Sequence, residues 1–276
     1  MTMNGTRIIS HRVAAAESAT ACELLAARSG FSKGKIKDAM NKGAVWLVPP
    51  AGPMKRLRRA TATLNPGEKI ELHYNDEVLA KQVPASALLA DMQHYSVWFK
   101  PSGVLAQGTM EGDHCALLRL AELHFKMLRP VFLVHRLDRE ASGLMLVAHS
   151  QNAAARLSAL FQNNNVYKRY WVQVRGQLTP AQGVIDTPLD GKAAHTHYTV
   201  ESYDAASDTS VLSVVIDSGR LHQIRRHLAG LNHAVIGDPK YGSGNKSSAG
   251  LQLNAIQLRF RCPFTDQAMD FLIPKE

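Results

Sequence analysis

Between two short apolar runs, residues 131–134 and 144–148, the chain sets His135, Arg136, Asp138, Arg139 and Glu140, followed by Ser142-Gly143. Runs of this length rich in Val, Leu and Phe read as buried strands, and Ser-Gly as the turn that lets the chain re-enter a strand. A carboxylate at the lip of an apolar sheet, with guanidinium groups two positions before it and one after, is favoured as the anion. Asp138 is therefore the first candidate for chemistry. Charge spacing alone also allows a structural Arg–Asp pair that pins a strand connection.

Two further side chains could serve that carboxylate. In residues 218–228, Ile224 and Leu228, with Leu231 beyond, have the spacing of a buried helical stripe, which leaves Arg225 beside it. A guanidinium is costly there unless a carboxylate meets it, so Arg225 predicts a partner, and Asp138 is the candidate. In residues 166–176 strict alternation puts Tyr170, Val172 and Val174 on one side of a strand. Tyr170 is then either a core tyrosine or a ring at the wall of a pocket.

The elements that would position these groups follow from the same patterns. Residues 95–99 read as a strand ended by Lys100-Pro101-Ser102-Gly103, because proline forbids continuation. Residues 151–161, capped by Ser150, form an amphipathic helix with Ala154, Leu157, Leu160 and Phe161 on its buried face. Residues 209–216 alternate as a strand, and residues 251–274 read as strand, turn and strand. Nearer the start, residues 21–28 form a helix closed by Ser29-Gly30, and Ser32 caps a second helix that buries Ile36, Ala39 and Met40. A strand at 44–48, a turn, a basic cluster and a strand at 68–74 come next. Residues 84–90, with Pro84 and no firm periodicity, read as a linker.

His135-Arg136-Leu137-Asp138, followed after three residues by Ser142-Gly143-Leu144, resembles the signature of the RluA-type pseudouridine synthases, in which the Asp is catalytic. The family usually has Thr where this chain has Ala141. Lys100-Pro101-x-Gly103 after a strand resembles the opening of that family's catalytic domain, and Lys168-x-Tyr170 its active-site tyrosine. Gly219-Arg220-Leu221-His222-Gln223-Ile224-Arg225 resembles its Gly-Arg-Thr-His-Gln-Ile-Arg motif with Leu221 for Thr, and Gly237-Asp238-Pro239-x-Tyr241-Gly242 continues the match. Asn254 and Cys262 stand where the family usually has His.

This resemblance implies an enzyme that breaks the bond between the ribose anomeric carbon and the uracil nitrogen, rotates the base and joins its 5-carbon to the sugar. Asp138 would attack the anomeric carbon or assist loss of the sugar's 2-hydrogen, and Arg225 would hold it. Tyr170 would pack on the base and assist proton removal from its 5-carbon. Arg136 would contact phosphate or fill the gap left by a flipped nucleotide, with His135, Gln223 and Lys100 also binding substrate. No cofactor or metal is implied, in keeping with a chain that lacks a Gly-rich phosphate loop, a dinucleotide fingerprint and a metal-ligand cluster.

Residues 32–45 and Leu64-Asn65-Pro66-Gly67-Glu68 look like two pieces of the small alpha-L RNA-binding module, although Val48-Pro49-Pro50 replaces the usual Asn-Gly. That likeness implies RNA contact through Lys33, Lys35, Lys37, Arg56, Arg58 and Arg59, with ribosomal RNA favoured over tRNA. Charge points the same way. Of the formal net charge of +9, residues 1–83 carry +6, which suits a polyanion, although a merely solvated basic surface has the same composition.

At 276 residues and 45% apolar content the chain has the composition of a globular protein. No apolar run approaches the ~18 residues of a membrane span, and the first residues lack the apolar segment of a secretory signal, so a cytoplasmic location is expected. Cys22, Cys115 and Cys262 are too few and too widely spaced for a disulfide framework or a zinc site. The expected architecture is α+β: an RNA-binding module at 1–83, a linker at 84–90, and a catalytic domain at 91–276 on a mainly antiparallel mixed sheet with flanking helices. RNA is the expected partner, with no membrane and no obligatory protein. A non-catalytic RNA-binding or ribosome-assembly factor and an Asp-dependent nucleoside hydrolase are the competing classes.

Overall fold

The computed structural model describes residues 2–3 and 5–273. Strands β1 (Thr2–Met3) and β2 (Thr6–Arg12) lead into helices α1 (Ala21–Ser29) and α2 (Lys33–Asn41). Thr20 and Glu23 cap each other's backbone at the start of α1, and Gly30, at φ 75°, ends it in the left-handed conformation that glycine adopts without strain. Ser32 Oγ accepts from the Lys35 N–H to start α2. Strands β3 (Val45–Val48), β4 (Lys55–Arg56) and β5 (Lys69–Tyr74) and the short α3 (Asp76–Leu79) come after it. The sheet runs β1-β2-β5-β3-β4 with every pair antiparallel. Leu25, Ile36, Met40, Ile70 and Leu72 are fully buried in the core of this unit.

The chain divides into two compact units, one of residues up to Val83 with Gln107–Leu123, the other of Pro84–Ala106 with the residues from His124 on. This departs from the expected boundaries in two ways. The linker expected at 84–90 is largely strand β6 (Ala87–Asp91), antiparallel to β7 (Tyr95–Lys100). Its alternation is hard to see in the sequence because Leu89, 50% exposed, sits on the outer face between half-buried Leu88 and Ala90. The segment Gln107–Leu123, which includes most of α4 (Leu117–His124), belongs with the first unit. There Asp113 pairs with both Arg56 and Arg58, its N–H donates to Lys42 O at 2.9 Å, and Trp46 Nε1 donates to Met110 O at 2.8 Å.

The second unit continues with β8 (Phe132–Leu133), β9 (Ser142–Ala148), α5 (Gln151–Gln162), β10 (Tyr167–Arg175), β11 (Gln182–Ile185), β12 (Thr196–Asp204), β13 (Thr209–Ile216), α6 (Gln223–Gly230), β14 (Leu253–Arg261) and β15 (Ala268–Leu272). Its sheet runs β11-β12-β13-β10-β14-β9-β7-β6, with β15 added to β14 and β8 to β9. All pairs are antiparallel except β9 with β14, which is parallel at Ser142–Asn254 and Gly143–Ala255. Gly143 is required at that junction: at φ 123° any Cβ would run into the Ala255 backbone. One apolar cluster joins β10 and β13 to Ile224 and Leu228 of α6, and another joins β7 and β9 to Leu157 of α5. Among the described residues no helix is long and apolar enough to cross a membrane.

Candidate active site

The loop between β8 and β9 carries Asp138, and its backbone is held from below by the end of β7. Lys100 is fully buried, and its ammonium donates to the carbonyls of Ala141 at 2.5 Å, Val104 at 2.9 Å, Pro101 at 3.1 Å and Arg139 at 3.3 Å. Ser102 Oγ donates to Glu140 O at 2.7 Å and the Gly103 N–H to Arg139 O at 2.8 Å. Three successive loop carbonyls thus find donors in the Lys-Pro-Ser-Gly turn, which leaves Lys100 no surface for substrate. The substrate-binding role expected of Lys100 is corrected to that of a loop support, since buried carbonyls must be paired. Burial pulls its pKa down to about 8, against the opposing pull of the Asp138 and Glu140 charges.

Arg225, 2% exposed, joins Asp138 to a second carboxylate. Its Nη1 donates to Asp138 Oδ2 at 2.9 Å, while Nε and Nη2 form a fork onto Asp238 at 2.7 and 2.8 Å. Asp238 is fully buried and also accepts the N–H groups of Lys240 at 2.8 Å and Tyr241 at 3.0 Å. Burial works against its ionisation, but the guanidinium and these N–H groups outweigh it and hold its pKa below the ordinary value. Burial likewise disfavours the Arg225 cation, and the two carboxylates outweigh it, so its pKa is raised. Asp238 carries no expected role on sequence grounds. The signal is nonetheless present, because a guanidinium has two edges and one carboxylate satisfies only one of them.

Asp138 Oδ1 accepts no hydrogen bond among the described residues, and the nearest cationic candidate is His222 Nε2 at 3.8 Å. His222 stands at φ 53° just before α6, and its Nδ1 lies 3.0 Å from the Tyr241 hydroxyl. Burial lowers its pKa more than the Asp138 charge raises it, which keeps the ring neutral at pH 7. Asp138, Tyr170, Ile216, His222, Arg225 and Leu253 are among the residues lining a cavity of about 260 Å³. Burial, and then the Asp138 charge, raise the Tyr170 pKa, so its hydroxyl stays protonated at neutral pH. A buried neutral phenol can pack and donate but is a poor proton acceptor, which argues against the proton-removal role expected of it.

The remaining expected substrate contacts divide. Arg136 is exposed, makes no hydrogen bond among the described residues and lines the cavity. His135 accepts the Leu146 N–H at Nε2, 3.0 Å, and stacks on Phe161 at 4.2 Å; burial lowers its pKa to about 3, so the ring is neutral with its proton on Nδ1. Gln223 is 3% exposed and fully used: Oε1 accepts from Ser218 Oγ and the Arg220 N–H, and Nε2 donates to His195 O and Thr196 Oγ1. These bonds tie the 218–223 turn to the start of β12, and Gln223 also lines the cavity.

In the first unit the six basic candidates divide as well. Arg56 stacks on Trp46 at 4.2 Å and donates to Gly43 O and Thr109 O, and Arg58 donates to Asp113 and Asn41 O. Both hold the 107–113 segment in place and remain partly exposed. Lys33 pairs with Glu23 at 2.9 Å, and Lys35 sits over Phe31 and Tyr74 with Asp76 at 3.7 Å. Lys37 and Arg59 are exposed and have no carboxylate partner among the described residues.

Residues 94–230 match the RNA pseudouridylate synthase family. YjbO of Bacillus subtilis, an uncharacterized RNA pseudouridine synthase, is 32% identical over 223 residues, 74% of this chain and 72% of that protein. The dual-specificity RNA pseudouridine synthase RluA of Salmonella typhi is 30% identical over 213 residues, 71% of this chain and 95% of that protein. The chain belongs to the RluA-type RNA pseudouridine synthases. It is therefore an isomerase acting on RNA. The solved structure of human RNA pseudouridylate synthase domain containing 4 is similar at a TM-score of 0.57 and 26% identity, over 69% of this chain and 88% of that one. The matched span of this synthase holds Asp138, Tyr170 and Arg225, whereas Asp238 lies beyond it.

Proposed function

We propose that this pseudouridine synthase isomerises a uridine in structured cytoplasmic RNA, ribosomal RNA first, with Asp138 as its catalytic residue. One observation carries the reading: Asp138 has one oxygen fixed by Arg225 and the other unbonded, at a cavity whose described lining contains no second carboxylate. Hydrolytic glycosidases use a pair of carboxylates, one to activate water and one to protonate the leaving oxygen. An isomerase that recaptures its own leaving group needs neither service. The unbonded oxygen attacks the anomeric carbon or takes the sugar's 2-hydrogen as the glycosidic bond breaks. The freed uracil stays in the cavity, turns against Tyr170 and rejoins through its 5-carbon, displacing Asp138 from the anomeric carbon or recovering the 2-hydrogen from it, and the 5-carbon proton then passes to water. Arg225, braced by Asp238, keeps Asp138 oriented throughout. Arg136 meets backbone phosphate at the mouth, helping to offset the few kcal/mol that flipping a nucleotide costs.

The basic first unit supports ribosomal RNA as the target, with Lys37 and Arg59 as its contacts and Lys33 and Lys35 adding to the field. The dual specificity in the name of the Salmonella relative supports testing a second class of RNA, for which tRNA is our alternative. The test is mass-resolved nucleoside analysis, with carbodiimide labelling to locate the site, on ribosomal RNA and tRNA treated with the unaltered protein and with Asp138→Ala. New pseudouridine in ribosomal RNA from the unaltered protein alone is expected. Modification by Asp138→Ala would remove Asp138 from the chemistry, and modification of tRNA alone would move the target.

A further inference from the structure

A second cavity, of about 400 Å³, adjoins the catalytic one and has no part in the mechanism above. Tyr170, Ile216, Arg136, Gly219 and Arg220 line both, whereas Asp138, His222 and Arg225 line only the catalytic cavity. Its size falls within the roughly 300–1,000 Å³ of small-ligand pockets. We propose that it is a second base subsite, which takes the base of a nucleotide adjacent to the target and selects one bearing keto oxygens, uracil or guanine.

The lining argues for a base, and for that kind of base. Val134, Leu144, Ala255 and Leu258 supply apolar wall, and the stacked His135–Phe161 pair supplies an aromatic one. A hydrated phosphate gains nothing from such surfaces, whereas an unstacked base does. Gln162, Asn164, Ser158 and Ser218 can accept as well as donate, but every charged group of the described lining is a donor. Lys168 is 5% exposed, and its ammonium makes one hydrogen bond, to Asp217 O at 2.8 Å. His135 uses Nε2 as its acceptor and has no acceptor for its Nδ1 proton among the described residues. Arg136 and Arg220, which line both cavities, add donors, and the described lining holds no carboxylate. Uracil and guanine present keto oxygens to such donors. Adenine and cytosine present exocyclic amino groups, which would leave a buried ammonium facing another donor. Because the two cavities share lining residues, a nucleotide next to a target seated in one is within reach of the other.

The subsite rests on the reading of the target as RNA, and its test separates the two. The substrate is the RNA hairpin around the modified uridine, remade with uridine, guanosine, cytidine, adenosine or an abasic residue at each position flanking the target. Rates are measured with the unaltered protein, and affinities by fluorescence anisotropy with Asp138→Ala. At one flanking position uridine or guanosine should be favoured about tenfold or more over the other three. Lys168→Met and, from the exposed end of α5, Gln162→Trp should abolish that preference while leaving turnover of the abasic hairpin unchanged. Equal rates and affinities for all five at every flanking position would overturn the proposal, as would a preference that survives both variants. If the unaltered protein fails to convert the parent hairpin, the target reading fails and the anisotropy series still decides the subsite.

Discussion

Replacing Asp238 by Asn keeps the shape of a fully buried side chain and removes its charge, and the consequence is set by the hydrogen bonds around it. Oδ1 accepts Arg225 Nη2 and the N–H groups of Lys240 and Tyr241, whereas Oδ2 accepts Arg225 Nε at 2.7 Å. The amide oxygen of Asn keeps the three-donor position, so its NH₂ must face the Nε–H of Arg225, donor against donor. Breaking a buried ion pair from one side costs about 3–5 kcal/mol. Against a typical total of about 5–15 kcal/mol, the variant should fold with a clearly lowered urea midpoint. Freed from its fork, Arg225 no longer holds Asp138 in one orientation, and a misplacement of about 1 Å at a reacting group costs on the order of 10²-fold in rate. Asp238 does not line the catalytic cavity, so RNA affinity should stay within about twofold of the unaltered protein. The Asp238 pKa is lowered, so its contribution to stability is complete above the 3.8 of a free aspartate and is lost as pH falls through its folded value. The Asn variant should lack that part of the acid limb. A stability loss below about 1 kcal/mol together with a single-turnover rate within twofold would refute the claim that Asp238 braces Arg225.

Lys100 predicts opposite pH trends for stability and rate. Between its folded pKa of about 8 and the 10.5 of a free lysine the unfolded chain binds more protons, so this group's contribution to stability rises with pH; turnover, which needs the ammonium under the loop, should fall. Paired urea-midpoint and single-turnover profiles from pH 7 to 10 check this, and parallel trends would refute it. In the first unit, Lys37→Ala should make the log–log salt dependence of RNA affinity shallower by about 1, whereas Arg58→Ala should lower stability and leave that slope unchanged. Anisotropy titrations across a salt series and urea unfolding distinguish the two, and equal slopes for Lys37→Ala and the unaltered protein would remove Lys37 from the interface.

Some of this site is legible in the sequence because a physical demand crosses the chain. A guanidinium beside a helical core stripe requires a carboxylate, and that requirement joins Arg225 to Asp138 across 87 residues. Strand alternation puts Tyr170 on one face of β10, and Ser32 and Ser150 cap their helices as their types suggest. Legibility ends where the deciding partner has no local pattern. Nothing near Asp113 announces that it closes onto Arg56 and Arg58, more than 50 positions away, so sequence patterns alone put the 107–123 segment in the wrong unit.

The polar residues of these motifs divide for one reason. Lys100 and Gln223 sit in the same motifs as Asp138 and Arg225, and the motif does not say which members keep hydrogen-bonding capacity for substrate and which spend it on the backbone that forms the site. Both kinds are fixed in type by geometry. The difference between them is unfilled hydrogen-bonding capacity. Gln223 uses both its oxygen and its amide nitrogen on protein groups, and the Lys100 ammonium is surrounded by four carbonyls. Asp138 keeps one oxygen unbonded, Arg136 makes no bond among the described residues, and His135 and Lys168 have donors to spare. A folded chain rarely leaves polar capacity open beside a cavity, because desolvating it without a partner is costly. The residues with open capacity ring two adjoining cavities, so the lining matches a strand that delivers two neighbouring nucleotides better than one isolated uridine.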